Sequence, residues 1–144
     1  MVTILRVIEA LPHGFDVICA EAAAEGVRNM ARLGEEFGSA DDPYVEPGAM
    51  FAALVGGDLA GLGGVTVEIG LDEPAMRMRR LYVRPGFRRS GVARALAGAM
   101  MQQGFQTAPL LTLNARASAA APPFWEAMGF APAALPGVTH ILRL

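Results

Sequence analysis

The spacing of apolar positions along the chain lays out an ordered set of elements. Residues 3–7 read as a first strand. Residues 14–37 carry apolar positions at helical spacing, with an interruption near Gly26, which predicts one long helix or two short ones. The polar, proline-bearing run 38–48 is a loop. Two short apolar runs, 50–55 and 59–67, flank Gly56-Gly57-Asp58, whose turn chemistry predicts a hairpin within a buried sheet. Residues 75–84 form a fourth strand that Pro85 ends. Helical spacing then runs from 90 to 103 with Gly104 as the expected C-cap, followed by a short buried strand over 110–114. An alanine-rich helix around 119–128 is closed by Gly129, and 140–144 can form a terminal strand. No internal repeat is visible. Strand, helices, three antiparallel-looking strands, helix, strand, helix, strand is the order of a mixed α/β sheet.

The fourth strand carries one irregularity. Its apolar positions are even at Met76 and Met78, then odd at Leu81 and Val83, so the parity flips at Arg79-Arg80. A β-bulge inserts one residue and switches the face that later side chains occupy, so a bulge is expected there. The alternative is a strand buried on both faces with irregular arginines. A bulge would splay the strand from its neighbour and leave backbone groups free for a ligand.

Composition narrows the chemistry. The chain has 144 residues, 53% hydrophobic and 18% charged, enough to bury one core and to fold as a single domain over 1–144. All twelve cationic side chains are arginines, which excludes a Walker-type phosphate clamp, a Schiff-base enzyme and a kinase ion pair, each of which needs lysine. One cysteine and two histidines, His13 and His140, cannot build a Cys/His zinc site or a disulfide framework, so no metal is expected. Cys19 falls at helical spacing with Phe15, Ile18 and Ala22, and reads as a structural thiol. Arg6 and Glu9 interrupt any secretory signal, so the expected location is the cytoplasm. The apolar stretch 47–67 has one charge, Asp58, but its six glycines and central turn argue against a membrane span.

Charge is distributed unevenly. Seven arginines fall between residues 77 and 94 in a chain of net charge −2. Among them lies Arg88-Arg89-Ser90-Gly91-Val92-Ala93, directly after a strand and opening a helix, where successive backbone N–H groups and the positive helix end converge on an anion. Gly91 lets the backbone approach that anion, and Arg88 and Arg89 can flank phosphates with forked donors. The overall acidic balance and the lack of interleaved aromatics argue against nucleic acid as a partner.

The run Leu81-Tyr-Val-Arg-Pro-Gly-Phe-Arg-Arg-Ser-Gly-Val-Ala93, followed by Phe124-Trp125 four residues before Gly129-Phe130, resembles the GNAT superfamily of acyl-CoA-dependent N-acyltransferases. Element order resembles that family over nearly the whole chain. The resemblance implies a mostly antiparallel central sheet of about six to seven strands flanked by helices. It implies acetyl-CoA, or another acyl-CoA, as donor and a small-molecule or peptide primary amine as acceptor, joined by direct attack in a ternary complex without a metal. A homodimer is compatible with it. By the same resemblance, the backbones of Leu81, Tyr82 and Val83 would line the pantetheine arm, with Leu81 and Val83 pairing its amides. The backbone N–H groups of Arg89, Ser90, Gly91, Val92 and Ala93 would hold the pyrophosphate, flanked by Arg88. Asn114 or Ser118 would bond the arm.

Two departures from the family pattern stand in the sequence. The tyrosine that commonly protonates the departing thiolate is Trp125 here, and an indole N–H is no acid at neutral pH. Trp125 is then either a wall of the acyl pocket or a core residue. The fourth strand offers Arg77, Arg79 and Arg80 where many members carry a basic glutamate. Glu68 and Tyr82 are the remaining catalytic candidates, each set against a purely structural role. The acids Glu35, Glu36, Asp41, Asp42 and Glu46 either draw in a cationic amine or are solvated loop charge. A catalytically silent domain that binds acyl-CoA as a sensor or structural ligand is the alternative function.

Overall fold

A computed structural model describes residues 1–144. Seven strands form one sheet: β1 (Val2–Val7), β2 (Ala49–Val55), β3 (Asp58–Val67), β4 (Met76–Val83), β5 (Leu110–Leu113), β6 (Ala131–Leu135) and β7 (Val138–Arg143). Their order is β1-β2-β3-β4-β5-β7-β6, antiparallel throughout except where β4 and β5 run parallel. Helices α1 (Phe15–Ala24) and α2 (Asn29–Glu36) cover one face, where Ile18, Met30 and Leu33 join Met50, Leu62 and Tyr82 in one buried cluster. Helices α3 (Val92–Thr107) and α4 (Ala121–Ala127) belong to the other, where Leu96, Met100 and Trp125 join Val65, Met76 and Leu111.

The helical run 14–37 is two helices, broken at Gly26, which takes a φ of 75°. Gly56 and Gly57, both at positive φ, form the two-residue turn between β2 and β3. Gly104 is not a C-cap: α3 continues through it to Thr107, and a Cβ at Gly104 would lie 2.6 Å from Leu111 Cδ2. The glycine lets the helix sit close on β5, a tertiary reason that looks locally the same as a cap. The strand β6 escapes the sequence pattern because Pro132 interrupts it, and proline is tolerated there because β6 is an edge strand.

The bulge expected at Arg79-Arg80 is present. Tyr82 pairs with Leu62 and Arg79 with Gly64, so Arg80 and Leu81 together face the single residue Gly63, and Arg80 takes a φ of 59°. Met76 and Met78 before the bulge and Leu81 and Val83 after it all pack on the α3 side. The extra residue therefore keeps one apolar face continuous across a change of parity.

Candidate functional site

The β4–β5 ladder contains only two pairs, Met76 with Leu111 and Arg77 with Thr112. Beyond them β4 continues to Val83 with no strand on that side. Arg84 N–H donates to Ala60 O, which makes Gly61–Val83 a non-hydrogen-bonded pair and turns the backbone groups of Val83 away from β3, into the gap. The carbonyls of Leu81 and Val83 accept side-chain donors, Asn29 Nδ2 at 3.2 Å and Arg88 Nε at 3.1 Å.

A cradle of donors closes the wide end of this gap. A 3₁₀ turn at Pro85–Phe87 leads into Arg89 at φ 64° and Gly91 at φ 82°, and Gly91 is the N-cap of α3. The backbone N–H groups of Arg89, Ser90, Gly91, Val92 and Ala93 have no acceptor within the protein, while the Ser90 hydroxyl is spent on Phe87 O at 2.6 Å. Alternation of left-handed with other conformations turns successive N–H groups inward, and the helix end adds its dipole, so the loop has the form of an anion site. These residues fit the pyrophosphate of a coenzyme A.

Two ion pairs strap α1 to the same region. Arg84 grips Glu21 with bonds of 2.9 and 3.0 Å, and Arg88 grips Glu25 at 2.9 and 2.7 Å. The Tyr82 hydroxyl also donates to Glu25, and the Arg88 guanidinium lies over the Tyr82 ring. Burial, with the Glu25 carboxylate beside it, pushes the Tyr82 hydroxyl up to about 12, so it holds its proton firmly.

Glu68 sits at the closed end of the gap. Its Oε1 accepts from Arg77 at 3.1 Å and from the fully buried Thr112 hydroxyl at 2.9 Å, and Oε2 accepts from Gly70 N–H at 3.2 Å. Burial raises its carboxyl, but these donors outweigh burial and hold it below the usual carboxylate range. Glu68 thus pins together the pair at which the ladder stops. Arg77 and Asn114 both donate to Gly137 O, tying the β6–β7 turn to the same point. Ser118 lies in the exposed loop between β5 and α4. Trp125 is 7% exposed in the α3-side core, with Phe124 and Phe130 edge-on at 5.1 and 5.3 Å. The structure therefore gathers Leu81, Val83 and the 89–93 loop around the open end of one gap, with Asn114 just past β5. Glu68 stands at the vertex, and Tyr82 faces α1.

On the α2 side of the bulge lies a polar groove of about 520 Å³, lined by Arg32, Glu35, Glu36, Asp41, Arg79 and Arg80 among others. Glu36 is its hub: it accepts from Arg80 at 2.9 and 3.3 Å and from the Tyr44 hydroxyl at 2.6 Å, with Arg79 at 3.6 Å. Of the acids read as loop charge, Glu35 and Glu36 are helical, Asp42 caps Gly38 and Tyr44 N–H, and Glu46 pairs with Arg6, leaving Glu35 and Asp41 unpaired. Asn29, Arg32 and Glu25 belong to this neighbourhood without any local signal in the sequence.

Burial would raise the Glu36 carboxyl, but Arg80 and Tyr44 bring it below its ordinary 4.5. A carboxyl with a lowered folded pKa contributes stability that is present above about 4.5 and lost as pH falls further, and Glu68 acts in the same direction. Urea midpoints measured from pH 6 to pH 3 are expected to fall steeply below 4.5. Glu36→Gln should flatten that fall and cost about 1–2 kcal/mol at neutral pH. An unchanged slope in the variant would remove Glu36 from the account.

No curated protein matches the sequence. A protein from Exiguobacterium sp. 255-15 that carries the acetyltransferase name superposes with a TM-score of 0.83 at 28% identity, covering 99% of this chain and 93% of that one. A GNAT family acetyltransferase from Elizabethkingia anophelis, solved with acetyl-CoA bound, shares the fold at TM-score 0.66 and 12% identity over 99% and 98% of the two chains. So does glucosamine-6-phosphate N-acetyltransferase from Arabidopsis thaliana, at 0.65 and 15% over 94% and 95%. The sequence model of the acetyltransferase (GNAT) domain matches residues 14–143, which takes in the bulged strand, the anion loop and α4, and on that match the chain belongs to the GNAT acetyltransferase family.

Proposed function

We propose that the protein transfers an acetyl group from acetyl-CoA to a primary amine, with both bound at once on opposite sides of the β4 bulge. The observation that carries this reading is the coincidence at one strand end of an unpaired β4 edge, a run of unpartnered N–H groups that includes Arg89 to Ala93 and a polar groove across the bulge. Bound acetyl-CoA supplies an activated acyl group as a thioester. Leu81 and Val83 offer backbone partners to its pantetheine amides, and residues 89–93 hold its pyrophosphate. The Val83 carbonyl already has a donor in Arg88 Nε, so a ligand amide there exchanges one donor for another and leaves no group unpaired.

Neither catalytic candidate is free for proton transfer. Glu68 has all its donors close at hand and a lowered pKa, and Tyr82 keeps its proton against Glu25. The chain's contribution is therefore positioning, which is worth several kcal/mol when it replaces a bimolecular encounter, with water removing the amine proton. Trp125 fills the apolar side behind the gap. The same two occupied side chains favour the second reading, an acyl-CoA-binding domain without turnover.

Calorimetry with acetyl-CoA, followed by release of free thiol in the presence of an amine panel, separates these. Binding heat with amine-dependent thiol release is the expected result. Binding without release for any amine would leave the silent domain, and absence of both heat and a shift in melting temperature would end both readings.

A further inference from the structure

Two buried side-chain polar atoms in this chain lack a hydrogen-bond partner, Arg79 Nε and Asn29 Oδ1. Both belong to the bulge: Arg79 opens it and lines the groove, and Asn29 holds Leu81 O, two residues further on. Because Leu81 O only accepts, the Asn29 amide must present nitrogen to it, so the orphaned atom is the carbonyl oxygen. One orphan is thus a cationic donor and the other a neutral acceptor. Arg80, by contrast, gives both Nε and a terminal nitrogen to Glu36. Arg79 reaches Glu36 only at 3.6 Å, and Arg32, one helical turn from Asn29, makes no ion pair. With Arg80 and Glu36 neutralising each other, the groove retains Arg32 and Arg79 against Glu35 and Asp41, a balanced set.

Resting on the acyl-transfer reading above, we propose that the acceptor is a zwitterion: a small primary amine carrying a single carboxylate, as in a free amino acid or short peptide. The carboxylate docks on Arg79 with Arg32, and the amine is turned toward the bulge, where Asn29 Oδ1 is the unpartnered acceptor. A forked guanidinium suits a planar carboxylate. One negative and one positive group leave the groove's charge balanced, whereas a dianionic phosphate does not.

The test uses the full chain and matched probes: free amino acids, their C-terminal amides, simple alkylamines and an aminoalkyl phosphate. Acetyl-CoA-dependent thiol release and, separately, calorimetric binding without donor are both read. Free acids are expected to exceed their amides by about tenfold or more in kcat/KM and in affinity, the size of one charge-assisted contact. Arg79→Gln should bring acid and amide within about threefold of each other while acetyl-CoA affinity stays within about twofold, which also reports that the variant is folded. Arg79→Lys should restore part of the preference. Amides equal to acids, a preference for the phosphate, or a preference that survives Arg79→Gln would each overturn the proposal. If no amine is turned over, the acyl-transfer reading fails, but a calorimetric preference for acids that Arg79→Gln abolishes still upholds the zwitterion site.

Discussion

Replacing Gly91 with valine is expected to weaken acetyl-CoA binding by more than tenfold and to lower the melting temperature only modestly. Gly91 caps α3 at φ 82°, and no heavy atom lies within 4 Å of where its Cβ would be, so the folded protein has room for a side chain. The backbone does not favour one: a β-branched residue in the left-handed region costs about 1–2 kcal/mol. For a domain of this size that is a fall of roughly 3–8 °C. The larger effect is on the ligand. Gly91 lies in the middle of the run of unpartnered N–H groups, and two γ-methyls there are expected to keep a pyrophosphate out of reach of its neighbours. Isothermal titration at fixed salt measures the loss. Arg88→Ala should cost less than tenfold, because its guanidinium is held by Glu25. Equal and negligible effects from both substitutions would move the anion site elsewhere.

The second large effect is on stability. Trp125→Ala is expected to cost about 3–5 kcal/mol, as for other large-to-small aromatic truncations, and so to lower the melting temperature by roughly 10–15 °C. Trp125 is 7% exposed and wedged between two aromatic rings at 5.1 and 5.3 Å, so its removal deletes two edge-to-face contacts along with a large buried area. Trp125→Phe should lose less. A pocket wall with no core role would behave differently: Trp125→Ala would then leave the thermal transition in place and change only the preference for acyl length. Scanning calorimetry of the alanine variant, alongside acetyl- and longer acyl-CoA substrates, decides between the two.

How far the sequence could be read depended on the range of the interactions involved. The bulge was legible because it is a period-two phenomenon within one strand, and Met76, Met78, Leu81 and Val83 record it directly. The loop of unpartnered N–H groups was legible because Arg89 to Ala93 form a contiguous run at a strand-to-helix junction. Gly104 misled because a helix-packing glycine and a capping glycine are the same residue in the same local context, and only Leu111 across the interface distinguishes them. The groove was legible only as separate charges, Glu35, Glu36 and Asp41 in one stretch and Arg79 and Arg80 in another, and not as one site. Its contacts join residues 44 and 52 positions apart, Glu36 with Arg80 and Asn29 with Leu81, and they exist only because α2 crosses β4 at the bulge. Glu68 and Tyr82 could be named from the sequence as catalytic candidates, but their partners Thr112 and Glu25 come from other elements.

Glu68, Arg77 and Thr112 fix where the sheet divides, and that makes them a depth stop. From Met78 to Val83 the free edge of β4 runs roughly 15 Å at about 3.3 Å per residue, less the shortening at the bulge. Each further pair zipped between β4 and β5 would raise the floor of the slot by about 3.3 Å, and each pair lost would lower it. On the proposed acyl-transfer reading, the length of chain that fits between the 89–93 loop and the floor is therefore set by a carboxylate, a guanidinium and a hydroxyl that need never touch it. The same reading expects acyl length to be retuned from the far end of the slot, by changing where two strands part company.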